Sequence, residues 1–266
     1  MNRLELLSFL AQVGASPKKG LSQNFLIDKN ISQKIVKTAD VKAGDAVLEI
    51  GPGPGALTSI LLEKGATVYA IEKDPVFAKA LTRLQTPDNR LHVYHADALK
   101  FPIETLAYQK VIANLPYHIT TPLLEKCFST GFASITVMIQ KEVADRIFAK
   151  EGTKLFGSLS LFARYYSELV SEFTVSANCF FPKPSVESSV IHLSSKEKSD
   201  VSPSSFFPIM RKAFTKRRKM LSSSLKEFAP KEVIRKALRS ISIREDARAE
   251  MLSLEKWLLL VKNIAS

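Results

Sequence analysis

Residues 46–55 read A-V-L-E-I-G-P-G-P-G, and they decide the fold. Ala46–Ile50 is a short apolar run of the kind that forms a strand buried on both faces. Gly51-Pro52-Gly53-Pro54-Gly55 makes a tight turn, and Leu57–Glu63 continues as a helix ending near Gly65. The same alternation runs outward from there. Thr67–Ile71 predicts a second strand. Asp74 then caps a helix with Pro75 in its first turn and Phe77, Ala80, Leu81 and Leu84 on its inner face. Leu91–Tyr94, Lys110–Ala113 and Ile135–Ile139 predict three further strands, with a helix over Thr120–Phe128. Val- and Ile-rich strands alternating with helices imply a mostly parallel sheet with right-handed crossovers.

Beyond it, Lys141–Ala149 and Leu159–Leu169 read as helices. Phe173–Cys179 and Ser188–Leu193 read as an antiparallel pair closing the sheet. Phe180-Phe181-Pro182-Lys183-Pro184 between them is expected to be irregular, because prolines remove donors and fix the backbone. The polar stretch Ser194–Ser205 marks a boundary between an α/β domain with an N-terminal arm (1–197) and a small all-helical domain (198–266).

The chain has 266 residues, 45% hydrophobic and 24% charged, which suits a full core plus a small second domain. No apolar run approaches the ~20 residues that span a bilayer. The apolar stretch Leu6–Val13 follows Glu5 and only one early positive charge, Arg3, so it does not read as a secretion signal. Cys127 and Cys179 are too few and too far apart for a disulfide framework and suit a reducing cytoplasm. His92, His95, His118 and His192 show no ligand spacing with them, so no metal is expected. Nothing demands a dimer. The net charge is +12, and it is concentrated: residues 201–266 hold 15 Lys/Arg against 6 Asp/Glu, whereas residues 1–200 hold 23 against 20. A basic surface confined to the last quarter of the chain attracts a polyanion through phosphate contacts.

The glycine turn lets a ligand approach the backbone closely. Its G-x-G-x-G spacing is not the G-x-G-x-x-G of dinucleotide sites, which argues against a nicotinamide oxidoreductase. Glu72 ends the second strand, where a carboxylate accepts hydrogen bonds from both ribose hydroxyls. Asp97 ends the third, where it can receive an adenine amine. These strand ends converge on one nucleoside-shaped ligand.

Asn114-Leu115-Pro116-Tyr117 ends the fourth strand and is the most specific signal. An amine conjugated to a purine is a poor nucleophile. An Asn side-chain oxygen and a backbone carbonyl beside Pro116 accept its hydrogens and favour a tetrahedral nitrogen aimed at an electrophilic methyl. Tyr117 offers a face on which an extruded base stacks.

Ser22-Gln23-Asn24-Phe25-Leu26, the Gly51–Gly55 turn, Glu72, Asp97, Asn114–Tyr117 and the F-x-P-x-P-x-V segment Phe180–Val186 occur in the order seen in KsgA-type (RsmA) ribosomal RNA adenine dimethyltransferases. The resemblance spans roughly residues 18–225. It implies a Rossmann-like methyltransferase domain with a small helical C-terminal domain. It also implies transfer of methyl groups from S-adenosylmethionine to two adjacent adenosines near the 3′ end of 16S rRNA, late in assembly of the 30S subunit. By position, Asn24 and Leu26 would close the arm over the cofactor, with Gly51 and Gly53 against it, Glu72 on the ribose and Asp97 at the adenine. Asn114 would orient the target amine, Leu115 would supply the carbonyl beside Pro116, and Tyr117 and Phe180 would sandwich the base, with Phe181 as the alternative partner. The basic run Arg211, Lys212, Lys216, Arg217, Arg218 and Lys219 would grip RNA phosphate. The chain departs from the family at Ser22, usually Gly, and at His118, often Asn. A large-subunit adenine methyltransferase of the macrolide-resistance type shares the catalytic motifs; Ala213–Lys219 favours the small-subunit enzyme. A non-catalytic assembly factor is the reading from another class, and the intact Asn114–Tyr117 motif argues against it.

Overall fold

The computed structural model describes residues 1–265. It divides into two compact units, Met1–Ala144 with Leu169–Ser195, and Asp145–Glu168 with Lys196–Ser266.

The first unit opens with helix α1 (Arg3–Gln12), closed at its start by a reciprocal Asn2/Glu5 capping box. Its buried Leu6, Phe9 and Leu10 pack with Phe25 and Phe77, so the apolar stretch near the start of the chain builds a small core of its own. Strand β1 (Phe25–Leu26) and helix α2 (Lys29–Thr38) come next, the latter capped by Asp28. The central sheet is then laid down by β2 (Ala46–Ile50), β3 (Thr67–Glu72), β4 (Leu91–His95), β5 (Lys110–Asn114) and β6 (Ser134–Gln140). Helices α3 (Ala56–Glu63), α4 (Pro75–Leu81) and α5 (Thr120–Ser129) link them. Asp74 caps α4 and Pro75 sits at its first position, as the spacing predicts. After helices α6 (Lys141–Phe148) and α7 (Ser158–Tyr166) come β7 (Ser167–Val175), β8 (Phe180–Phe181) and β9 (Ser188–Ser195).

The seven-stranded sheet has the order β4-β3-β2-β5-β6-β9-β7. Pairs β2/β3, β3/β4, β2/β5 and β5/β6 are parallel, and β6/β9 is antiparallel. The chain lays strands outward from β2 to β4, then returns to the other side of β2 with β5. That reversal opens a crevice beyond the carboxyl ends of β2 and β5, where ligands of such sheets bind. Val47, Leu48, Val68, Ile112 and Met138 are buried in the sheet. Ile35, Val36, Leu57 and Leu61 from α2 and α3 join the same core.

Two local expectations are corrected. The helix expected to run to Leu169 stops at Tyr166, and the strand expected from Phe173 starts at Ser167. Along β7 the exposed Glu168, Val170, Glu172 and Thr174 alternate with more buried neighbours, the period-two pattern of a strand. The Phe180–Pro184 segment is not wholly irregular either. Phe180 and Phe181 precede the prolines and keep their own N–H groups, and they pair antiparallel with β1.

The second unit is helical, with α8 (Pro203–Thr215), α9 (Leu221–Ser224), α10 (Lys231–Ser240) and α11 (Leu254–Ala265). It also takes in residues 145–168, which the sequence boundary assigned to the α/β domain. Aromatic packing explains why: Tyr165 stacks on Phe206 at 5.2 Å, and Phe162 lies 4.5 Å from Phe207. Trp257 is fully buried, with its indole N–H donating to the Ala249 carbonyl at 3.1 Å.

Candidate active site

A cavity lies beyond the carboxyl ends of β2, β3, β4 and β5. Each strand delivers residues to its wall: Gly51 and Gly53 after β2, Glu72 and Lys73 at β3, Ala96–Ala98 after β4, and Asn114–Ile119 from β5 onward. Residues Leu21–Phe25 of the N-terminal arm form the remaining side. Nine of the expected residues therefore meet in one place: Asn24, Gly51, Gly53, Glu72, Asp97, Asn114, Leu115, Pro116 and Tyr117.

Gly53 shows why the turn needs glycine. Its φ is +52°, and a Cβ there would sit 3.1 Å from the Phe25 ring. Its N–H donates to Glu72 Oε2 at 2.9 Å, and the Asp74 N–H donates to Glu72 Oε1 at 2.8 Å. The Lys73 amide also acts on this carboxylate, which can accept about four hydrogen bonds and so has capacity left for a ligand hydroxyl. Burial pushes the Glu72 carboxyl above its usual range despite these amides. Asp97 behaves oppositely. The Lys73 ammonium, 2.9 Å from Oδ2, holds its carboxyl below the usual range, and the Leu99 N–H donates to Oδ1 at 3.0 Å.

Asn114 is the last residue of β5. Its side-chain Nδ2 donates to the Asn24 carbonyl at 3.0 Å, which leaves Oδ1 as the acceptor of that carboxamide. The Leu115 N–H donates to the Met138 carbonyl at 3.0 Å and holds the chain to β6. Tyr117 is half-buried, with its hydroxyl 2.6 Å from Ser188 Oγ on β9; burial pushes that hydroxyl up.

The arm is fastened at a second point. Lys18 Nζ lies 2.8 Å from Asp74 Oδ2, and the Gln23 side-chain N–H donates to the same oxygen at 3.2 Å. Burial works against the Asp74 charge, but Lys18, the Val76 amide and Gln23 hold its carboxyl below the usual range. Ser22 adopts φ +50°, the left-handed region that glycine occupies without strain. Its departure from the family pattern thus falls at a position where glycine has a physical advantage. His118 lines the cavity and is exposed.

Leu26 and Phe180 are not in the cavity. They face each other across β1 and β8 and are buried in the sheet core with Met138, Val175 and Val190. Phe181 packs instead with the α1 cluster, under the Arg3 guanidinium at 5.3 Å. Sequence reasoning missed Glu49. It is fully buried in β2, accepts a hydrogen bond from the Thr58 hydroxyl at 2.7 Å, and lines a smaller cavity with Gly51 and Asn114. A carboxyl inside an otherwise apolar strand just before a glycine turn was the available signal.

The family model for ribosomal RNA adenine dimethylase matches residues 14–266. The chain belongs to that family. Among relatives of the dimethylase family, it is 46% identical to the ribosomal RNA small subunit methyltransferase A of Chlamydia caviae, over 98% of this chain and 97% of that one. The Protochlamydia amoebophila protein of the same name is also 46% identical, over 98% and 96%. A dimethyladenosine transferase from Plasmodium falciparum superposes with a TM-score of 0.78 at 26% identity, covering 88% of this chain and 94% of that one. The 23S rRNA methyltransferase ErmE shares the fold, with a TM-score of 0.71 at 23% identity over 91% and 100%.

The basic run of this dimethylase-family chain separates into two groups. Arg217 donates to the carbonyls of Lys154 at 2.7 Å and Thr153 at 3.0 Å, and it approaches Glu250 at 3.6 Å. Lys212 pairs with Glu227, and Arg211 lies 5.7 Å from the Phe162 ring. Lys216, Arg218 and Lys219 instead line a surface hollow with Lys226 and Lys231, and no carboxylate is among its lining residues.

Proposed function

We propose that this chain dimethylates N6 of two adjacent adenosines near the 3′ end of small-subunit ribosomal RNA, in the assembling 30S subunit of the cytoplasm, with S-adenosylmethionine as donor. The observation that carries the reading is the Asn114 carboxamide, whose nitrogen is committed to the arm and whose oxygen remains to accept an amine hydrogen. The donor set suits this cofactor: Glu72 offers lone pairs to ribose hydroxyls, Asp97 a carboxylate to an adenine amine, and the glycine turn its backbone. When bound, the cofactor supplies a sulfonium methyl. The chain's own residues do the rest. Asn114 Oδ1 accepts one hydrogen of the target amine and the carbonyl of Leu115, beside Pro116, accepts the other, which orients the nitrogen lone pair. The amine becomes acidic as its new bond forms, so no strong base is needed first. The Tyr117 ring holds the extruded base by stacking. Phe180, buried behind β1, joins the sandwich only when the β1–β8 pairing yields; Leu26 supports the arm from beneath.

Residues 198–266 act as the RNA-gripping domain, with Lys216, Arg218 and Lys219 on phosphate. The test is methyl incorporation into assembled small subunits against protein-free large-subunit RNA. Preference for small subunits, with dimethyladenosine near the 3′ end of their RNA, supports the reading. Preference for large-subunit RNA reassigns the substrate, and binding without incorporation makes the chain a non-catalytic assembly factor.

A further inference from the structure

Lys126 lies in α5, two turns beyond the Asn114–Tyr117 corner. Its ammonium collects three backbone carbonyls, those of Ala98 at 3.0 Å, Leu99 at 3.0 Å and Phe101 at 2.5 Å. All three belong to the loop after β4 that carries Asp97. An ammonium has three protons and no acceptor, so three convergent carbonyls saturate it. The loop is otherwise folded on Asp97 itself: the Asp97 carbonyl accepts from the Lys100 and Phe101 N–H groups at 2.9 Å each, and Asp97 Oδ1 accepts from Leu99. Lys126 is thus a strut from outside onto a self-closed turn.

The strut's base is tied to the catalytic corner. Helix α5 starts at Thr120, whose hydroxyl donates to the Pro116 carbonyl at 3.1 Å. One hydrogen-bonded path therefore runs from Pro116 through α5 and Lys126 to the Asp97 loop. We infer that Lys126 is a positioning residue that holds Asp97 at the adenine end of the cofactor pocket, in register with Asn114. This rests on the proposed reading of Asp97 as the adenine reader. The geometry calls for lysine: a compact ammonium serves three converging acceptors, whereas a planar guanidinium spreads its donors in a fork.

The test is calorimetric binding to the full-length protein of S-adenosylhomocysteine and of S-inosylhomocysteine, in which the adenine amine is replaced by a carbonyl. The wild-type chain prefers the adenosyl compound. Lys126→Met lowers that preference about tenfold, the scale of one charge-assisted hydrogen bond, and Lys126→Arg does not restore it. In an Asp97→Ala background, Lys126→Met changes the preference no further. A Lys126→Met variant that is less stable but keeps the wild-type preference overturns the inference, because a merely structural prop moves the melting temperature and not the ratio. If Asp97→Ala alone leaves the preference intact, the reading of Asp97 fails first and the inference falls with it. Should Lys126→Met not fold, Lys126→Gln keeps a donor for one carbonyl and carries the same comparison.

Discussion

The side-chain nitrogen of Asn114 donates to the backbone carbonyl of Asn24, 90 residues earlier in the chain, at 3.0 Å. The contact ties the end of β5 to the N-terminal arm and fixes which atom of the carboxamide is left to accept. Asn114→Ala removes both the acceptor and the tie. Methyl transfer should fall by at least about a hundredfold, the scale of losing one preorganised polar group, while RNA affinity stays within a few fold. Asn114→Asp sharpens the point, because its carboxylate opposes the Asn24 carbonyl with no proton to share. Hydrogen exchange over Leu21–Phe25 should then speed up. Full turnover in the alanine variant would refute the role given to Asn114.

Tyr117 has two separable parts. Its hydroxyl bonds Ser188 Oγ at 2.6 Å, and its ring borders the cavity. Tyr117→Phe loses one hydrogen bond, about 1 kcal/mol of stability, and keeps most of the turnover. Tyr117→Ala loses the stacking face, worth about 1–3 kcal/mol per base, and turnover on RNA should drop accordingly. Equal turnover in the two variants, measured on assembled small subunits, would mean that the ring does not hold the base.

The central strands were legible because a parallel sheet buries them on both faces, which makes Ala46–Ile50 and Ile135–Ile139 mostly apolar runs, Glu49 and Thr136 apart. Most of the cavity was legible for the same reason, since its walls other than Leu21–Phe25 are the residues at and just after the ends of those strands. The illegible parts depend on contacts distant in sequence. The pairing of Phe25–Leu26 with Phe180–Phe181 joins two-residue strands that carry no period of their own. That pairing removes Phe180 from the cavity. The fate of Arg217 was hidden likewise, because its carbonyl partners lie at Thr153 and Lys154. Edge strand β7 hid behind the helical run before it, although Glu168 and Glu172 mark its exposed side.

The two groups of basic residues should respond differently to salt. Arg218→Ala and Lys219→Ala each remove a cation from the hollow that also holds Lys216, Lys226 and Lys231. Each should lower the slope of log affinity against log salt by about 0.7–0.9 for every phosphate left without its cation. Arg217→Ala should leave that slope unchanged and lower the melting temperature, since Arg217 is spent on Thr153, Lys154 and Glu250. RNA binding across a salt series decides this; a reduced slope for Arg217→Ala would return it to the phosphate-binding set.

Glu49 makes stability depend on pH in a direction that can be worked out. Burial pushes its carboxyl up to about 8, partly offset by the Thr58 hydroxyl and reinforced by the charge of Glu72. In the unfolded chain the same group titrates near 4.5. Between those values the folded protein keeps a proton that the unfolded chain has released, so Glu49's contribution to stability is whole below the lower value and is lost as pH rises through the higher. Glu49→Gln is neutral at every pH and keeps an acceptor for Thr58. The variant and the wild-type chain should therefore have similar stability near pH 5. The variant should then gain by up to about 1.4 kcal/mol per pH unit until the difference levels off above pH ~8. Denaturant titrations from pH 5 to 9 measure it, and taking the difference between the two proteins cancels the titration of the groups that do not interact with Glu49, leaving Glu49 together with its neighbour Glu72. A difference that stays constant across that range would show that Glu49 is already ionised in the folded protein, and that the buried carboxyl has a cationic or donor partner beyond Thr58.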